Sequence, residues 1–169
     1  RGHYPPPAGA SDILGLEVVG EVVHACGAWQ VGQRVMAVVA GGGYGEYCCV
    51  PAAEAMAVPD GLSDAQAAAI PEAFLTAWLN LITLGNLQPG ESVFVHAGAS
   101  GVGSMAIQLA HHWGARVYAA AGTADKRQLC ATLGATTVCD SRNPPHADRI
   151  KAASNGAGVD IVLDMLGAP

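Results

Sequence analysis

A short apolar strand that runs into a glycine-dense turn, and then into an amphipathic helix, constrains this chain more than any other feature. Val93-Phe94-Val95 leads into His96-Ala97-Gly98-Ala99-Ser100-Gly101-Val102-Gly103. The succession is that of a strand, a tight turn and a helix N-terminus, an arrangement that receives a pyrophosphate. The first amides of a helix lack partners within it, and the positive end of its dipole faces the same way. Glycine is required where a side chain would obstruct the phosphate or hold helix and strand apart. Ser100 stands where the second glycine of G-x-G-x-x-G falls. The motif is therefore degenerate and draws its force from its surroundings.

Those surroundings alternate strand and helix. Val102, Ala106, Leu109, Ala110 and Trp113 share one face at helical spacing, and Gly114 stops that helix. A second strand is expected over residues 116–121, ending at Gly122, then a helix over 124–133 closed by Gly134. A third strand over 136–139 runs into a turn-rich patch at 140–145. A short helix over 147–153 and a fourth strand over 159–163 follow. Short links between alternating elements predict an α/β fold with a doubly wound parallel sheet over residues 87–169.

Residues 1–62 differ, reading as strands and turns. Strands are expected at 16–23, 34–39 and 46–51, with a glycine turn at 41–45. Residues 63–86 read as a helical connector. Ser63 is a good N-cap with Gln66 as its capping-box partner, and Pro71 interrupts the helix.

The formal charge of −6 argues against a nucleic-acid or anionic-membrane surface. With 51% apolar and 13% charged residues, the chain must bury much of itself. Its longest apolar stretches are broken by glycine, proline or charge before they span a bilayer. The cysteines at 26, 48, 49, 130 and 139 make no C-x-x-C, and Cys48 and Cys49 would face opposite ways on a strand. Reduced, partly buried thiols of a cytoplasmic protein are expected. No histidine spacing suits a metal. Ser104 stands where a P-loop needs lysine, and Val102 breaks the G-x-S-x-G of a hydrolase elbow.

An NAD enzyme of this fold usually ends its second strand on an acid that binds the ribose. Here that place holds Ala121-Gly122-Thr123, which permits the 2′-phosphate of NADP. If Thr123 caps the next helix, Lys126 falls in its first turn, where a cation opposes the dipole and a bound phosphate would compensate. The alternatives are a solvated Lys126, and an Asp125 that reaches the ribose and favours NAD. Arg142 is a further source of charge near the adenosine.

In order along the chain, several segments resemble one family. They are Gly15-Leu16-Glu17-Val18-Val19-Gly20, Gly32-Gln33-Arg34-Val35, Ala67-Ala68-Ala69-Ile70-Pro71-Glu72 with Thr76-Ala77, and residues 96–103 with Gln108-Leu109-Ala110. The set is similar to the quinone oxidoreductase (zeta-crystallin) branch of the medium-chain dehydrogenase/reductases, most like its tumour-suppressor-inducible members. Tyr4-Pro5-Pro6-Pro7 fits the same branch.

The resemblance implies a GroES-like β module followed by a Rossmann sheet, both incomplete. Further chain is expected before Arg1 and after Pro169, and the 169 residues by themselves are not expected to be an intact enzyme. It also implies hydride transfer from NADPH to quinones or related conjugated carbonyls, and a homodimer when full length. Leu16 occupies the position of the zinc-ligating histidine of the wider superfamily, so no metal is expected. Glu17 is then a structural acceptor or a base.

Tyr4 is implied to line the active cleft and donate to a developing oxyanion, or else it is a surface tyrosine. Thr76 is implied to stand near the nicotinamide in a catalytic and cofactor-binding role, or to be a helix hydroxyl bonded back to a carbonyl. Gly98, Ala99, Ser100, Gly101, Val102 and Gly103 are expected to hold the pyrophosphate. Gly122, Thr123, Lys126, Ser141 and Arg142 are expected around the adenosine phosphate, Ser141 taking the place of a stacking tyrosine. Two alternatives stand: reduction of an enoyl thioester or enone, and nucleotide binding with little turnover.

Overall fold

In a computed structural model, which describes residues 7–143 and 146–167, the chain builds two sheets of different kinds. It divides into two compact units, Arg1–Glu72 and Ala73–Pro169. The division falls inside the stretch that the sequence sets apart as a connector.

The first unit holds an antiparallel sheet of β1 (Glu17–Glu21), β2 (Arg34–Val38) and β3 (Met56–Ala57), in that order. Val19 lies opposite Met36, which also lies opposite Met56. Met36, Val58 and Ala67 form a small core, with Val19, Met56, Leu62 and Ile70 packed on it. Helix α1 (Asp64–Ala67) begins with the expected capping box. The Ser63 hydroxyl accepts from the Gln66 amide, and the Gln66 side chain accepts from the Ser63 amide.

The strand expected over 46–51 does not form; those residues are irregular. The sequence there has strand-forming side chains, but such propensity expresses fit to a pleated, half-buried surface, and no strand among the described residues pairs with the segment. The two-residue β3 takes the place beside β2 instead. Upstream, the glycine turn is held by the loop before β1: Gly42 N–H donates to the Ile13 carbonyl at 2.6 Å, and Gly43 N–H to that of Gly15 at 3.1 Å. A Cβ on Gly15 would stand 2.7 Å from the Gly43 Cα, so glycine is required there. Without that strand, Cys48 and Cys49 have no opposite sheet faces to occupy. Both are exposed and free, as is Cys26, and all three border one groove with Trp29 and Tyr47. Cys130 and Cys139 are buried.

Helix α2 (Pro71–Trp78) runs on into a π-helical turn, Leu79–Leu84, which the sequence pattern does not foreshadow. Taken together, the helical run Asp64–Leu84 has the length and apolar content to cross a membrane. Uninterrupted apolar stretches do not reveal this run, because it carries Pro71 and Glu72 in its middle.

The second unit is a four-stranded parallel sheet in the order β6-β5-β4-β7, built from β4 (Ser92–Val95), β5 (Arg116–Ala121), β6 (Thr137–Asp140) and β7 (Ile161–Leu163). Helices α3 (Gly101–His112), α4 (Ala124–Thr132) and α5 (His146–Ala153) link the strands. The twofold period of the strands sorts their side chains to two faces. Val93, Val95, Val117 and Ala119 pack with Ile107, Leu109 and Ala110 of α3 and Cys130 of α4. Phe94, Tyr118, Ala120 and Cys139 pack instead with Ile150 of α5. Both faces carry helices, as a doubly wound sheet requires.

Candidate functional site

The strand order reverses at β4: the chain steps outward to β5 and β6, then returns to lay β7 on the other side. In open α/β sheets, ligands bind beyond the carboxyl ends of the strands at such a switch point. The sheet is parallel, so residues 96–103, 122–126 and 141–143 all lie beyond that edge, with Asp140 at the end of β6 beside them.

Between β4 and α3 the backbone turns on Ala97, which adopts φ +48°, a left-handed conformation costing a non-glycine residue about 1 kcal/mol. Gly98 N–H then donates to the Ala120 carbonyl at 2.8 Å. A Cβ at Gly98 would lie 3.0 Å from Cys130 Sγ and 3.1 Å from the Ala119 Cβ. At Gly103 it would fall 2.3 Å from the Ala97 carbonyl oxygen. These two glycines serve the packing of helix against strand. Among the described residues nothing lies within 4 Å of an added Cβ at Gly101, and the residue is exposed. Open space of this kind beside a helix N-terminus suits the backbone approach of a diphosphate.

Ser100 is the N-cap of α3, and its hydroxyl accepts from Gly103 N–H at 3.0 Å. It therefore occupies one of the helix's first amides itself. The amides of Gly101 and Val102, earlier in the same turn, have no carbonyl partner inside the helix. Ala99 and Val102 are half-buried beside them.

At the ends of β5 and β6 a second cluster forms. Thr123 caps α4 and accepts from the Lys126 amide at 3.3 Å, so Lys126 is in the first turn, exposed, as the sequence predicts. A Cβ at Gly122 would lie 3.4 Å from Ser141 Oγ, so the two strand ends touch. Arg142 does not project freely: its Nε and Nη2 donate to the two oxygens of Asp140 at 3.1 and 2.9 Å. Arg127 Nη1 stands 3.0 Å from Asp140 Oδ2 and donates to the Gly122 carbonyl at 3.3 Å. The Arg142 hydrogen bonds, aided by Arg127, hold the Asp140 carboxyl well below its ordinary pKa.

Sequence reasoning missed Asp140 and Arg127. The Asp-x-Arg spacing of 140 and 142 signals a local turn, and Arg142 N–H indeed donates to Asp140 Oδ1 at 3.0 Å. The link to Arg127 crosses from strand to helix and has no local signature.

His96 follows β4 and His146 opens α5, with ring centroids 6.1 Å apart and Phe94 against both. Burial, and then the charge of His96, push the His146 pKa down. Thr76 lies half-buried on α2, a separate element, where its carbonyl accepts from Asn80 Nδ2 at 2.8 Å. Tyr4 lies outside the described residues. Glu17 accepts from the Glu72 amide at 3.1 Å at the start of α2, the structural role of the two considered for it.

The chain matches two family models in order: "Alcohol dehydrogenase GroES-like domain" over residues 1–60 and "Zinc-binding dehydrogenase" over 101–169. Despite the wording of the second, no group of three or more His, Cys, Asp or Glu side chains suited to a metal stands together among the described residues. A phenolphthiocerol/phthiocerol polyketide synthase of Mycobacterium tuberculosis is 41% identical over 168 residues, covering 98% of this chain and 8% of that protein. The CurK enoyl reductase superposes with TM-score 0.85 at 33% identity, over 92% of this chain and 48% of that one. The quinone oxidoreductase of Escherichia coli, solved with NADPH, superposes with TM-score 0.85 at 32% identity, over 98% of this chain and 52% of that one. The chain thus spans about half of each solved relative and a small part of the synthase. On these matches and on its two sheets, the chain belongs to the medium-chain dehydrogenase/reductase superfamily and is quinone oxidoreductase-like.

Proposed function

We propose that this chain is part of a zinc-independent, NADPH-dependent oxidoreductase that adds hydride to a double bond conjugated with a carbonyl. The observation that carries the reading is the open, amide-lined space at Gly101 beside the start of α3. The amides of Gly101 and Val102 receive the diphosphate. Ser100, whose hydroxyl is committed to Gly103, shapes that turn. Lys126 and Arg142, at the ends of the next two strands, face the adenosine phosphate, and Gly122, Thr123 and Ser141 frame it. Reduced nicotinamide, when bound, supplies the hydride. Tyr4 donates a hydrogen bond to the oxygen on which negative charge develops, and Thr76 orients the cofactor's reacting end, as the family resemblance implies. Leu16, where the superfamily's zinc enzymes carry histidine, offers no ligand, so the acceptor must already be electrophilic.

Two acceptors fit. The 41% identity to a polyketide synthase and the likeness to the CurK enoyl reductase favour an enoyl thioester. The match to the Escherichia coli quinone oxidoreductase over 98% of this chain favours a quinone. A GroES-like domain over 1–62, a connector over 63–86, a nucleotide domain over 87–169, homodimerisation and a cytoplasmic location belong to the same reading.

The full-length protein, mixed with NADPH and either crotonyl thioester or a benzoquinone, should consume the cofactor's near-ultraviolet absorbance with one of them. Tight binding of NADPH without turnover on either would point instead to a nucleotide-binding protein. Lys126→Glu should weaken NADPH more than NADH in a nicotinamide-fluorescence titration. Equal loss for both would remove Lys126 from the phosphate site.

A further inference from the structure

Asp140 stands between Arg127 and Arg142, and its carboxylate already fills the donor fork of Arg142. Arg142 gives it two side-chain hydrogen bonds, at 3.1 and 2.9 Å, and its own amide at 3.0 Å. Arg127 approaches the second oxygen at 3.0 Å from α4. The Asp140 side chain is 16% exposed and that of Arg142 66%. The pair therefore has a protected carboxylate and an accessible guanidinium. Guanidinium forks match carboxylate and phosphate with the same bidentate geometry. An anion arriving at this edge of the sheet competes with Asp140 for one set of donors, and meets its negative charge as well.

We propose that Asp140 is a specificity-setting residue that acts as an internal competitor for the cofactor's 2′-phosphate. By occupying Arg142, it holds down the preference for a 2′-phosphorylated nucleotide over the unphosphorylated one. This role rests on the cofactor reading under Proposed function. Discrimination then depends on a residue which touches the arginines and carries the sign opposite to theirs. Like charges a few ångströms apart repel appreciably even near the surface. An asparagine of the same shape removes that repulsion, while its single oxygen can accept from only one arm of the fork and leaves the other free for an anion. Asp140 thus works through Arg142 and needs no contact with the nucleotide.

The test is isothermal titration of the full-length protein and of its Asp140→Asn variant with 2′,5′-ADP and with 5′-AMP, which report the adenosine end without hydride chemistry. In Asp140→Asn the affinity ratio of 2′,5′-ADP to 5′-AMP should rise roughly fivefold or more. Repeating the pair of titrations in an Arg142→Ala background should shrink that rise, because the competition for Arg142 is gone and only the repulsion between Asp140 and the phosphate remains. An unchanged ratio, a fall in the ratio, or a rise of undiminished size without Arg142 would each overturn the proposal. If neither nucleotide binds the unaltered protein, the cofactor reading itself fails, and the role of Asp140 with it. If both bind and the ratio stays fixed, only the role of Asp140 is lost.

Discussion

Gly101 and Gly103 sit two positions apart in one turn and answer to different demands. Gly103 has the Ala97 carbonyl where a Cβ would go, at 2.3 Å, so a methyl must push α3 away from the turn. Gly103→Ala is expected to cost at least about 1–3 kcal/mol in a denaturant titration. Gly101 has open space, and an alanine there should leave stability unchanged or raise it slightly, since alanine is the better helix former. Its effect should appear as weakened NADPH binding. Full NADPH affinity in Gly101→Ala would move the diphosphate elsewhere. Much at this scale is legible in the sequence. Thr123 announces the cap that places Lys126 in the first turn of α4, because capping is a local chemistry of adjacent residues. The fate of Arg142 is not legible, since its freedom depends on Asp140 and on Arg127 from another element.

At the scale of elements, one carboxylate sets the register of β7 on β4. Asp160 accepts from both the amide and the hydroxyl of Ser92, at 2.8 and 2.7 Å, and its own amide returns to the Ser92 carbonyl at 3.0 Å. The Ser92 hydrogen bonds, side chain first, lower the Asp160 pKa. With the folded value below the unfolded one, the carboxylate's stabilisation is complete above the ordinary carboxylate range and is lost as pH falls through the lowered value. Unaltered protein should therefore melt above Asp160→Asn near pH 6, and the gap should narrow as pH falls below the ordinary carboxylate range, as followed by circular dichroism. A gap independent of pH would mean that Asp160 stabilises by shape alone. Elements whose partners lie within the same alternating pattern are readable: β5 occupies the span expected of it, and α3 follows the glycine turn. The misread strand at 46–51 shows the opposite case, where suitable side chains find no neighbour to pair with. The π-helical turn after α2 adds a shift of backbone bonding that no side-chain period encodes.

Across the whole molecule, burial is uneven. Around β4 and β5, strands covered on both faces, Val93, Val95, Val117 and Ala119 are fully buried. The three-stranded sheet rests on the smaller cluster of Met36, Val58 and Ala67. Hydrogen exchange should accordingly be slowest in the amides of β4 and β5 and faster in β1 and β2, because local opening is easiest where little apolar surface holds an element down. Equal protection in both sheets would mean that the smaller cluster holds its sheet as firmly as the larger one. The exposed thiols of Cys26, Cys48 and Cys49 matter at the same scale. Kept in air without dithiothreitol, the protein should accumulate covalently linked multimers that a non-reducing gel reveals and a reducing gel erases. Substituting serine at these three positions, while leaving Cys130 and Cys139 in their interior places, should yield a preparation that stays monodisperse on storage.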